Sequence, residues 1–175
     1  MKVPKVRFSL QRALLVVGAA AVFLSGLRFN CCLWAEADWR LHKSSHFVLY
    51  YHSSIPGQFI RRFSDKCEYY YHSLTREIGL RRFDFWTWEN RAKVYIYPTR
   101  QSYIQATGRP EASLASVQPG KKLIKTFYFS KDLFDIILPH EISHIMFKEL
   151  VGFNKKVPVK TQEAFASSHE KRANL

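Results

Sequence analysis

Residues 133–150 constrain the fold of this chain more than any other segment. Their apolar positions recur every three or four residues, which predicts an amphipathic helix that ends before Gly152. The sequence His140-Glu141-Ile142-Ser143-His144 lies inside this helix. Because residues four apart share one helical face, both imidazoles are expected to face the same point. Pro139 has no backbone N–H to donate, so we expect a kink or a fresh helix start immediately before His140.

Two neutral imidazoles one helical turn apart are typical of a zinc site. Glu141 lies beside the first histidine but is rotated away from the metal axis, so it can act as a general base on an activated water. A catalytic zinc also needs a third protein ligand and an open fourth position. Eighteen residues separate His144 from Glu163, which lies in the first turn of the last predicted helix. The pattern therefore predicts a Zn²⁺ centre formed by His140, His144 and Glu163.

Residues 1–37 have the pattern of an export signal or of an N-terminal membrane anchor. The first twelve residues carry four basic groups and no acid, and Ala13–Leu27 is a charge-free stretch of fifteen residues. Ala35-Glu36-Ala37 matches a signal-peptidase site, which predicts a mature chain that starts near Asp38. Fifteen residues are short for a membrane span, but an uncleaved anchor is the alternative. Both alternatives predict an extracytoplasmic domain, either periplasmic, secreted or anchored, that comprises residues 38–175.

The positive charge of the chain does not by itself indicate nucleic-acid binding. The 175 residues carry 27 Lys and Arg against 14 Asp and Glu, a net charge of +13. Residues 1–37 contain five of these basic groups and one acidic group, which leaves +9 on residues 38–175. No nucleic-acid-binding signature accompanies this charge. The expected partners are therefore a peptide or protein substrate and an anionic membrane or cell-envelope surface, with no specific nucleic acid.

The remaining patterns predict an α+β layout in which the helices come last. Cys67 lies on the apolar stripe of the first predicted helix and is expected to be a buried small hydrophobe. The predicted elements are strands over residues 46–52 and 91–97, helices over 59–78, 99–108 and 161–171, and a hairpin of residues 112–116 and 122–129. Ser54 is the expected cap of the first helix, and Thr161 or Gln162 that of the last. A type II turn is expected at Pro119-Gly120.

The HExxH motif, its spacer and the segment Glu163-Ala164-Phe165-Ala166-Ser167, with Glu170 seven residues beyond Glu163, resemble the gluzincin zinc metallopeptidases. The upstream order of elements is similar to that of the small bacterial peptidase MA-like domains, over about residues 44–172. The resemblance implies a zincin-like fold. This fold has a thermolysin-type N-terminal sheet with an edge hairpin, an HExxH helix and a glutamate helix. It also implies that His140, His144 and Glu163 bind zinc, that Glu141 is the catalytic base, and that an extended peptide lies along residues 122–129.

These observations predict an exported zinc-dependent metallopeptidase that hydrolyses peptide bonds. The alternative is a catalytically inactive zincin-like module that binds zinc or an envelope partner. Lys160, Thr161 and Ala164 stand where the gluzincins have Trp-Leu and Gly, and these differences favour the alternative.

Two residues near the end of the chain have separate expectations. Glu170 is expected either to contact a zinc ligand or to be a solvated helix residue. His169 does not share a helical face with Glu163, and it is expected at the surface. Twelve residues follow Glu163, so the domain is expected to be either minimal or incomplete at its C-terminus.

Overall fold

A five-stranded mixed sheet organises the computed structural model, which describes residues 38–79, 86–129, 132–152 and 154–170. All of these residues belong to one unit, Glu36–Leu175. The export signal expected in residues 1–37 lies outside the described residues. Within the described part of the chain, no helix combines the length and apolar character needed to cross a bilayer.

The strands and helices alternate along most of the chain. The strands are β1 (Trp39–Lys43), β2 (Phe47–His52), β3 (Ala92–Tyr97), β4 (Ala115–Gln118) and β5 (Leu123–Phe127). The α-helices of the described ranges are α1 (Gly57–Glu77), α2 (Arg100–Thr107), α3 (Leu138–Val151) and α4 (Val159–Glu170). The fold is thus mixed α and β, with the last two helices in sequence after the sheet.

The order of strands in the sheet is β1-β2-β3-β5-β4. The three central strands β2, β3 and β5 are parallel, and the outer strands β1 and β4 are antiparallel to their neighbours. The main core lies on one face of the sheet, where α1 and α3 cover alternate side chains such as Leu49, Val94 and Ile124. The opposite face carries a smaller cluster in which Tyr103 of α2 packs against Tyr97 and Phe127.

Several expectations for the first half of the chain are confirmed. Helix α2 begins after Thr99, whose hydroxyl accepts from the Ser102 backbone N–H, and it ends at Gly108 with a φ of 64°. Cys67 is completely buried in the main core. The expected Ser54 cap of α1 is wrong, because that helix begins after Pro56 without a side-chain cap. The Ser54 hydroxyl instead lies 2.7 Å from Nδ1 of His52.

The hairpin is confirmed, but its turn is not of type II. β4 and β5 pair antiparallel, and β4 is an edge strand of the sheet. The expectation that a peptide lies along residues 122–129 at a sheet edge is wrong, because β5 pairs with β3 on one side and with β4 on the other. Residues Pro119–Lys121 form a short 3₁₀-helix, and Lys122 takes the left-handed conformation with a φ of 48°. The turn therefore closes one residue later than the Pro119-Gly120 pattern predicts.

Helix α3 begins just before the HExxH motif, as Pro139 predicts. A π-helical turn, Leu133–Ile137, precedes it, and the Ile137 N–H donates to the Asp132 carbonyl five residues back. Pro139 then stands in the first turn of α3, where the missing N–H costs nothing. The last helix differs from its prediction, since α4 begins at Val159 and both Thr161 and Gln162 lie inside it.

Candidate metal centre

Helices α3 and α4 pack against each other and bring three predicted ligands to one point. His140 and His144 come from the first two turns of α3, and Glu163 comes from the second turn of α4. His144 is buried, His140 is partly buried and the Glu163 carboxylate is about half exposed. We call these three residues the HExxH cluster. Solvent reaches the cluster at the half-exposed Glu163 carboxylate.

The spacing within the HExxH cluster fits a tetrahedral zinc ion. The two Nε2 atoms are 3.0 Å apart, and the Glu163 oxygens lie 3.5 Å from Nε2 of His140 and 3.6 Å from Nε2 of His144. Zinc bonds of 2.0–2.1 Å at tetrahedral angles require ligand atoms about 3.3 Å apart. The three observed distances bracket this value, so the donor set fits Zn²⁺ with shifts of a few tenths of an ångström.

Glu170 contacts the first histidine from the side opposite the cluster. Its Oε1 lies 2.5 Å from Nδ1 of His140, which is the geometry of an Nδ1–H that donates to a carboxylate. That hydrogen bond places the proton on Nδ1 and leaves Nε2 free toward Glu163. Of the two expectations for Glu170, the contact with a predicted zinc ligand is therefore the one observed.

Burial shifts the pKa of two side chains in this region, His144 and Glu141. It lowers the pKa of His144, and the neighbouring His140 lowers it further, so the imidazole is neutral at pH 7 as a metal ligand must be. Burial also raises the pKa of Glu141 to about 7, against the opposing influence of His140. A carboxyl group with a pKa near neutrality can both accept and return a proton, which suits a general acid–base group.

The sequence patterns missed the charges that surround α3. Lys122 Nζ lies 2.8 Å from Glu149 Oε1, and this largely buried ion pair ties the hairpin turn to the last part of α3. The positive charge of Arg109, in the segment that joins α2 to β4, favours the ionised form of Glu141. These contacts depend on how the hairpin packs on α3, and no local sequence pattern carries that information.

The prediction that His169 lies at the surface is wrong. The side chain is buried, its Nδ1 lies 2.7 Å from the Phe165 carbonyl, and its Nε2 lies 3.5 Å from a Glu77 oxygen of α1. Helix α4 contacts both α3 and α1, so a second face of the helix is covered. The expectation for His169 rested only on the face of α4 that carries Glu163 and packs on α3.

Comparisons with known proteins do not identify a family for this chain. No protein-family model matches the sequence. The search of curated proteins finds no match either. The resemblance to gluzincins stays a prediction that rests on the HExxH motif, its spacer and Glu163.

Proposed function

We propose that this chain is a zinc-dependent metallopeptidase of the gluzincin type with a zincin-like fold. The observation that carries the proposal is the convergence of His140, His144 and Glu163 at spacings suited to zinc, with Glu141 on the same turn of α3. A bound Zn²⁺ would supply Lewis acidity at this point. The mixed sheet with its antiparallel edge strand and the two helices that follow it support the fold part of the proposal.

Residues in and beside the HExxH cluster have separate roles in the proposed hydrolysis. Glu141 takes a proton from the attacking water and returns it to the leaving amine, so the carboxylate is regenerated in each cycle. Glu170 keeps Nε2 of His140 directed at the cluster through its hydrogen bond to Nδ1. His144 needs no deprotonation at pH 7, because burial already favours its neutral form.

The edge strand β4 is the proposed docking site for the substrate backbone. Its inner edge pairs with β5, and its outer edge offers backbone N–H and C=O groups to an extended peptide. This geometry supports a peptide as the substrate class, since β-strand addition recognises a backbone before it recognises side chains. Helix α3 contacts both β4 and the 3₁₀ turn that follows it, so such a peptide would lie near the cluster.

We also propose that the enzyme works outside the cytoplasm, on the basis of the signal pattern in residues 1–37. The partners proposed besides the substrate are an anionic membrane or cell-envelope surface, because the domain keeps a net charge of +9. The second candidate function is an inactive zinc-holding module. It is favoured by Lys160, Thr161 and Ala164, which depart from the gluzincin pattern next to Glu163.

The variant Glu141→Gln separates the two functions. It keeps the shape of the side chain but removes the base, so we expect stoichiometric zinc with hydrolysis reduced about 10³-fold. The measurement is cleavage of a fluorogenic peptide library, with zinc content determined by mass spectrometry on the same samples. Glu111→Gln, the same substitution at an exposed glutamate, is the matched control and should cleave at the wild-type rate. A wild-type chain that binds zinc but cleaves no peptide would leave only the inactive module.

A further inference from the structure

A second group of two histidines and one glutamate lies at the junction of β2 and α1. It consists of His46, Glu68 and His72, each of which offers one ligand atom within 4.8 Å of the other two. We call it the β2 cluster. Glu68 and His72 are four residues apart on α1 and therefore share one face, and His46 immediately precedes β2. The β2 cluster has the same donor types as the HExxH cluster and shares no residue with it.

Several contacts hold the β2 cluster in place. The Glu68 carboxylate accepts from the His46 backbone N–H at 2.9 Å, and its other oxygen lies 2.6 Å from Nδ1 of His46. The His46 ring stacks on Tyr71 with the ring centroids 3.7 Å apart, and it meets the His72 ring edge to face at 5.2 Å. Two of the three donors are thus fixed before any ion binds, which lowers the entropic cost of binding.

The β2 cluster is also open to ions from solvent. His72 is exposed, and the side chains of His46 and Glu68 keep 15% and 21% of their surface accessible. A neutral imidazole always has one ring nitrogen without a proton, whichever tautomer is present. Imidazole nitrogens with a carboxylate suit Zn²⁺ and related divalent transition metals, whereas Mg²⁺ and Ca²⁺ prefer oxygen ligands.

We propose that His46, Glu68 and His72 bind a second divalent transition-metal ion that ties the start of β2 to α1. The ion would bind the Glu68 carboxylate, which also accepts the hydrogen bond from the His46 backbone N–H. The exposed His72 side chain would move toward the ion. Its remaining positions would be filled by water, because the cluster lies at the surface. Its effect is on stability, since it joins His46 to two residues of α1 that lie more than twenty positions later in the chain.

The stoichiometry of bound zinc tests the proposal on the full chain. After equilibrium dialysis against Zn²⁺, we expect two ions in the wild type, one in His72→Ala, one in His144→Ala and none in the double variant. His42→Ala is the matched control, because His42 contacts Ser64 and belongs to neither cluster, and it should keep two ions. A zinc count in His72→Ala equal to that of the wild type, whether one ion or two, would overturn the second site.

A thermal measurement separates a stabilising ion from a loosely held one. In the His144→Ala background, added Zn²⁺ should raise the Tm, and the further substitution His72→Ala should abolish that rise. His72 is exposed, so its replacement should leave the circular dichroism spectrum of the metal-free chain unchanged. An equal rise in Tm with and without His72 would contradict the proposal. Failure of the HExxH cluster would show instead as an unchanged zinc count in His144→Ala.

Discussion

The HExxH cluster and the β2 cluster contain the same types of donor but use their carboxylates differently. In the HExxH cluster Glu170 holds Nδ1 of His140, and a different residue, Glu163, faces the two Nε2 atoms at 3.5 and 3.6 Å. In the β2 cluster Glu68 does both, since its oxygens already lie 2.6 and 2.9 Å from two nitrogens of His46. In the HExxH cluster, one carboxylate orients a histidine and another faces the metal position. In the β2 cluster, Glu68 would have both roles.

This difference bears on why we propose a catalytic role for one cluster and a stabilising role for the other. A zinc ligand works best when another group fixes its orientation, because the ligand atom then needs no rearrangement. In the HExxH cluster Glu170 holds His140 while Glu163 faces the two Nε2 atoms, and Glu141, the proposed base, has its pKa raised to about 7 by burial. The β2 cluster must exchange a hydrogen bond for a metal bond, so we expect weaker binding and no hydrolysis there.

The largest effect on the free energy of unfolding is expected at an ion pair that joins α3, the helix of the HExxH cluster, to the hairpin. Replacing Lys122 with Met leaves the largely buried Glu149 carboxylate of α3 without its partner, which should lower the free energy of unfolding by about 3 kcal/mol or more. Lys66→Met is the matched control on α1, because the Lys66–Asp135 pair is a third to a half exposed and should cost at most about 1 kcal/mol. Urea unfolding of both variants gives the comparison, and equal losses would contradict it.

A second prediction concerns the carboxylate that orients His140. Glu170→Gln weakens the hydrogen bond to Nδ1, so zinc affinity of the HExxH cluster should fall about 10- to 100-fold. Competition with a chromophoric chelator measures this affinity, and Glu111→Gln serves again as the control at an exposed site. An unchanged affinity would mean that Glu170 does not orient the ligand and that the contrast between the clusters has no energetic basis.

The smallest effect on the free energy of unfolding is expected from replacing Glu68, measured on protein that a chelator keeps free of metal. Burial raises the pKa of Glu68, but hydrogen bonds from His46 and Ser44 outweigh this and bring it below the ordinary 4.5. The ionised carboxylate therefore stabilises the fold fully above pH 4.5, and this contribution is lost as the pH falls through the lower folded value. Glu68→Gln should cost about 1.5 kcal/mol at pH 7. Urea unfolding between pH 7 and 3 should show this difference shrinking below pH 4.5, and a constant difference would refute the assignment.

The sequence predicts those parts of the fold that depend on local chemistry. Thr99 and Gly108 bound α2 because a hydroxyl cap and a left-handed glycine act within one helical turn. Pro139 marks the start of α3 for the same reason. The sequence pattern does not predict strand β1, since Trp39–Lys43 is short, mostly polar and only partly buried at the edge of the sheet. Its strand structure comes from pairing with β2, which is a tertiary effect.

In the candidate site, too, local sequence predicts one part of the geometry, and tertiary packing determines the rest. The spacing of His140 and His144 places them on one helical face without any tertiary information. The meeting of these residues with Glu163 depends on the packing of α3 on α4, for which the sequence offers only the length of the spacer. The roles of Lys122 and Arg109 depend on where the hairpin lies, and the burial of His169 depends on α1. The approach of His46 to Glu68 likewise needs β2 and α1 to pack together.

The central claim is that His140, His144 and Glu163 hold one zinc ion beside Glu141. Anomalous diffraction at the zinc edge, from crystals of the full chain grown with Zn²⁺, tests this claim most directly. We predict a peak about 2.0–2.1 Å from both Nε2 atoms and about 2.0–2.2 Å from a Glu163 oxygen. A zinc-containing crystal with no peak at this position, or with a peak bound by one histidine alone, would contradict the account.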